Sequence, residues 1–165
     1  MDLAAIGSFK ARLRSLGAGC SGMVAVTEKL SEFDSGGWLV VDERCDGGVA
    51  AELNFNFLES RGNCVHYAIT NATPGPYRGA KLGISRNGFL GLYLHAAVTD
   101  FWKVELLGGS AVNPQIYLRN HEGTRVGFTV RRENISSAAP LLVERNFLTV
   151  TDSVLRFCLE DIVAL

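Results

Sequence analysis

The sequence predicts an all-β protein: an antiparallel β-sandwich of about ten strands in a single domain over residues 1–165, with an N-terminal amphipathic helix and one short helix. Three observations predict it. Residues 49–58 place Val49, Ala51, Leu53, Phe55 and Phe57 on one face and polar side chains on the other, the period of two of a half-buried strand. Comparable runs recur at intervals of roughly 8–15 residues, with turn-forming residues between them. Residues 80–107 read as three consecutive strands, the first two joined by Asn87-Gly88, a dipeptide that accepts the positive φ angles of a tight hairpin.

In chain order, residues 2–16 are the helical candidate. Ile6, Phe9, Leu13 and Leu16 share one stripe of a helix, Lys10, Arg12 and Arg14 lie outside it, and Gly17 and Gly19 end it. A basic amphipathic helix reads as a lid on the sheet, a membrane-surface segment or a targeting peptide, the last disfavoured by Asp2. Strands follow at residues 23–27, 37–42, 49–58 and 64–70. Residues 71–79 concentrate Pro74, Gly75, Pro76 and Gly79, so they form an irregular connection and a candidate functional loop. The three-stranded meander occupies residues 80–85, 89–95 and 101–107. Residues 114–120 are assigned the short helix, with Asn113 as cap and Pro114 at its first position. Strands at residues 125–131, 141–150 and 154–165 complete a sandwich or a closed barrel. No three-fold repeat of the kind that signals a β-trefoil is evident.

An apolar content of 47% and a charged content of 20% are those of a folded globular chain, and a net charge of −1 gives no general attraction to nucleic acid. Cys20, Cys45, Cys64 and Cys158 are scattered without zinc-like spacing, so neither a metal nor any other cofactor is expected. The N-terminus lacks the apolar core of a signal peptide. Free, buried thiols are therefore expected, in the cytoplasm or in a chain released without a classical signal. The sequons at Asn71 and Asn134 matter only on secretion.

No nucleophile elbow, metalloprotease helix or phosphate-binding loop is present, and His66, His95 and His121 are far apart in sequence, so no enzymatic activity is expected. Binding has more support. Tyr77, Tyr93, Phe101 and Trp102 supply aromatic surfaces with the mixed character that suits sugars and lipid interfaces. Phe101 and Trp102 are adjacent, so in a strand one faces the core and the other faces out.

The basic N-terminal helix, Asp34-Ser35-Gly36-Gly37-Trp38 ahead of a strand, Gly75-Pro76 in a loop and the run LGLYLHAAVTDFWKVELLGG over residues 90–109 together resemble the actinoporin-like family of pore-forming cytolysins and fungal lectins. The resemblance implies a β-sandwich whose aromatic loops dock on lipid headgroups before the helix detaches and inserts. It matches Phe101-Trp102 to the family's aromatic pair, sets Val98-Thr99-Asp100 in place of a longer aromatic loop, and leaves Tyr117 as the match to a tyrosine cluster. The expected function is binding of membrane-lipid or glycan headgroups through Tyr77, Tyr93, Phe101, Trp102 and Tyr117. Pore formation would use Ile6, Phe9, Leu13 and Leu16, on a membrane surface and as a homo-oligomer. Gly36-Gly37-Trp38 and Thr99-Asp100-Phe101 also resemble lipocalin signatures, which imply a small apolar ligand held inside a barrel. A third reading is a non-catalytic module that self-assembles through a strand edge. Function is thereby narrowed to residues 71–79 and 96–102.

Overall fold

The computed structural model describes residues 1–28, 36–43, 50–134, 138–139, 142–150 and 153–165. Asp34, Ser35, Cys45, Val49, Leu141 and the Ile135-Ser136 part of the second sequon lie outside the described residues. The described strands fall into three lobes of four. The first holds β1 (Phe9–Gly17), β2 (Cys20–Val26), β3 (Leu39–Asp42) and β4 (Glu52–Arg61). The second holds β5 (Cys64–Asn71), β6 (Lys81–Ile84), β7 (Leu90–Tyr93) and β8 (Trp102–Gly109). The third holds β9 (Pro114–Arg119), β10 (Gly127–Asn134), β11 (Leu142–Thr149) and β12 (Phe157–Ala164).

The expected all-β, antiparallel character is present, and the pairing has a further order. The outer strands of the lobes pair as β1-β4-β5-β8-β9-β12 and return to β1, which closes a six-stranded barrel. The inner strands pair as hairpins, β2 with β3, β6 with β7 and β10 with β11. These hairpins meet over one end of the barrel through β3–β11 pairing and the Trp38–Gly91 and Phe89–Thr149 bridges. A barrel and three hairpins drawn from three four-stranded lobes is the β-trefoil arrangement. The three-fold order is one of backbone alone. Equivalent barrel positions need only an apolar side chain of suitable size, so Phe9 and Leu13, Tyr67 and Ile69, and Ile116 and Leu118 serve alike in β1, β5 and β9.

Side chains fill the barrel, in the space where a lipocalin-type carrier would hold its ligand. Phe9 stacks on Phe55 with ring centres 4.7 Å apart, and Tyr67 meets both rings edge-on at 5.3 and 5.7 Å. The Tyr67 hydroxyl donates to the Leu3 carbonyl at 3.1 Å, and burial, followed by the charge of Asp2, pushes its pKa up to about 12. Cys20, Cys64 and Cys158 are buried free thiols. Burial, outweighing a hydrogen bond with Ser15, pushes Cys20 up to about 11 and keeps it unreactive.

Three sequence expectations require correction. The helix expected over residues 2–16 is confined to α1 (Leu3–Ile6), which the Asp2 carboxylate caps by accepting from Ala4 and Ala5 N–H, and residues 9–17 form β1. Phe9 and Leu13 lie four apart and satisfy either period. The period of two prevails because Ala11 and Ser15 complete a buried face and β1 pairs with β2, β4 and β12. Phe9 and Leu13 are core residues, Ile6 and Leu16 are half-buried, and the detachable helix implied by the actinoporin-like resemblance has become a central strand. The short helix expected at residues 114–120 is β9; its Pro114 opens the strand, where a missing N–H is tolerated. The meander is broken, since β8 pairs with β5 and β9 rather than β7, residues 94–101 carrying the chain from hairpin to barrel.

Candidate functional site

The outer side of the second lobe is built on two glycines. Gly83 and Gly91 stand opposite each other on β6 and β7. The Tyr93 ring lies across the pair: its Cδ2 is 3.2 Å from the position a Cβ would take at Gly83, and its hydroxyl oxygen is 3.3 Å from the equivalent position at Gly91. Trp38 approaches that second position to 3.0 Å. A side chain at Gly91 would push against both rings, so the glycine pair is what lets them lie close to the sheet. Trp38 meets Phe89 at 6.2 Å, and both pack against a small core cluster in which Phe89 meets the buried Phe147 at 5.8 Å.

Asp100 borders this floor. Its Oδ2 accepts the Ile84 N–H at 3.1 Å, and its Oδ1 is 3.1 Å from His121 Nδ1. Burial, then the charge of Asp100, raises the Tyr93 pKa, so the phenol remains a protonated donor. Phe101 joins the region to the barrel wall. Its ring lies 5.1 Å from the His66 ring and 6.1 Å from that of His121, bringing together two histidines that are distant in sequence. His66 is itself held by Glu59, Nδ1 to Oε1 at 2.9 Å.

On the barrel wall the register sets basic side chains in line. His66 is opposite Lys103, Lys103 is opposite Arg119, and Arg119 is opposite Arg125 in the connection after β9. Lys103 Nζ lies 5.8 Å from the Phe101 ring centre, and the Arg125 guanidinium lies 4.3 Å from that of Tyr117. Glu105 is the carboxylate within the row. Arg119 Nε donates to its Oε2 at 2.9 Å, Arg119 also binds it through a terminal nitrogen, and Arg125 reaches it at 3.5 Å. Burial alone would raise the Glu105 pKa, but the hydrogen bond and charge of Arg119, joined by those of Arg125, outweigh burial and hold it below the ordinary carboxylate range.

The expected ligand residues divide. Trp102 is not at the surface: it is fully buried, with Nε1 donating to the Leu82 carbonyl at 3.1 Å, because it is the inward member of the Phe101-Trp102 pair. Tyr93 and Phe101 lie on either side of the Asp100–His121 pair, Tyr93 next to Asp100 at Gly83 and Phe101 against the His121 ring, and Tyr117 lies under the Arg125 guanidinium. Tyr77 lies apart, in an open groove of about 350 Å³ between the end of β2 and the 71–79 loop, lined also by Val26, Pro74 and Pro76. Asn71 braces that loop, its Nδ2 donating to the Tyr77 carbonyl at 3.0 Å and its Oδ1 accepting the Thr73 N–H at 3.3 Å. Lys103, Arg119 and Arg125 escape a sequence reading because their alignment depends on strand register.

The opposite end of the barrel is different in kind. Residues 106–113, the β8–β9 hairpin tip, are all exposed and carry no charge, with Leu106 and Leu107 each 40% exposed and Val112 74%. Leu58, Val163 and Leu165 add exposed apolar surface on the strand ends that reach the same end of the barrel. Among the described residues no helix is long and apolar enough to cross a membrane, and no group of three or more His, Cys, Asp or Glu side chains is placed to hold a metal ion. Comparison of the chain with protein-family models, with curated proteins and with solved structures finds no match.

Proposed function

We propose that this chain is a non-enzymatic glycan-binding protein that takes a sugar on the outer face of the second lobe, against Trp38, Tyr93 and Phe101. The observation that carries the reading is the Tyr93 ring laid across the Gly83–Gly91 pair, beside Trp38 and the fixed carboxylate of Asp100. A sugar packs its C–H face on an aromatic ring and directs its hydroxyls to polar groups at the ring's edge. Asp100 stands at that edge as an acceptor held by Ile84 N–H and His121, and the protonated Tyr93 hydroxyl is a donor. A glycan array probed with wild-type protein and Tyr93→Ala tests the reading. Tyr93→Ala is expected to bind about tenfold more weakly, the upper end of one aromatic contact. Unchanged affinity in that variant would remove the site.

The tip at residues 106–113, which carries no charge of its own, supports a second reading, docking on a lipid surface, because exposed leucines transfer favourably into an apolar interface. Leu107→Glu is expected to abolish co-sedimentation with liposomes. Equal co-sedimentation of wild type and variant would remove this reading.

A further inference from the structure

We infer that the glycan is anionic, bearing sulfate or carboxylate groups, and that it lies along the Lys103–Arg119–Arg125 row; this rests on the glycan reading above. Along the row the carboxylates are engaged, Glu59 by His66 and Glu105 by Arg119 and Arg125. The donors are not. Two guanidinium groups with five N–H each share one carboxylate. Lys103 has no carboxylate partner among the described residues.

The register adds a second observation. Lys103, Arg119 and Arg125 stand directly opposite one another, an arrangement of like charges that costs stability in a sheet unless anions intervene. Glu105 supplies one negative charge to three positive ones. The row spans two strand spacings, about 10 Å, which is close to the length of a disaccharide. Phe101 and Tyr117 lie against its two end cations, so a chain of sugars meets both stacking surface and charge along one line.

The test compares a sulfated polysaccharide, its desulfated counterpart and single-stranded DNA for binding to wild type, Lys103→Gln, Lys103→Arg and Tyr93→Ala. Lys103→Gln breaks no ion pair, so its fold is retained. The sulfated polymer is expected to bind best and to weaken as salt rises. Lys103→Gln should lose about fivefold, the value of one exposed charge contact, and Lys103→Arg should keep wild-type binding. Equal affinity for sulfated and desulfated polymer would overturn the anionic inference and leave the glycan reading intact. Sulfated-polymer binding untouched by Tyr93→Ala would overturn the stacking reading and leave only the cationic row. DNA bound as tightly as the sulfated polymer would overturn selectivity for a glycan, and binding of none of the three would overturn both.

Discussion

Two rows of three cations lie on the outside of the barrel, and their surroundings differ. On β1, Lys10 and Arg12 both meet Glu52 at 3.3 Å, Arg12 also meets Asp161 at 3.4 Å, and Arg14 meets Glu160 at 2.6 Å. Three cations there face three carboxylates. Across β8, β9 and the following connection, Arg119 and Arg125 share Glu105, and Lys103 has no carboxylate partner among the described residues. The first row has a carboxylate for each cation and serves the sheet, as ordinary cross-strand pairs do, although Arg12 Nε, like Arg125 Nε in the second row, is buried without a hydrogen-bond partner. The second row retains unused donors beside Phe101 and Tyr117 and is open to a ligand. Charge count in a sequence does not separate the two cases, because what distinguishes them is which carboxylates the register delivers.

Both rows depend on one barrel, so the largest effect follows from breaking it. Trp102→Ala removes the largest fully buried side chain and its bond to the Leu82 carbonyl, and is expected to cost about 3–5 kcal/mol in chemical denaturation. A cost under about 1 kcal/mol would show that the barrel does not rest on this residue. An intermediate effect separates the rows by pH. Because the folded pKa of Glu105 is lowered, its stabilisation is complete above the ordinary carboxylate range and is lost as pH falls through the folded value. Glu105→Gln should therefore be less stable than wild type at neutral pH by about 1–3 kcal/mol, with the gap narrowing in acid. A gap independent of pH would contradict the ionic account of that row. The smallest effect is expected at Glu52→Gln, about 1 kcal/mol or less, since its pairs are partly solvated. The same substitution opens the β1 row, and weak new binding of a sulfated polymer would sharpen the contrast.

The sequence discloses strand periodicity well where polar and apolar residues alternate over a long run, as in β4 and β5. It misleads at β1, since Phe9 and Leu13 are spaced for a helix stripe and a strand face alike, and only the pairing with three neighbours decides between them. The three-lobed order is hidden for a related reason: a barrel layer specifies volume and polarity, and residues as unlike as Phe9, Tyr67 and Ile116 meet that requirement. At the candidate site, the alternation requires one of Phe101 and Trp102 to face outward but does not decide which. The glycine floor beneath Tyr93 and the alignment of Lys103 with Arg119 and Arg125 are not legible, because both arise from contacts between strands whose register the sequence does not encode locally.

The most direct test of the open row is the affinity of Lys103→Gln and Lys10→Gln for one sulfated polysaccharide at a fixed salt concentration. Each substitution removes one positive charge, so any effect of net charge is the same for both. The account predicts that Lys103→Gln weakens binding about fivefold and that Lys10→Gln leaves it unchanged. Equal losses in the two variants would show that the row on β8 and β9 is no more a binding site than the row on β1.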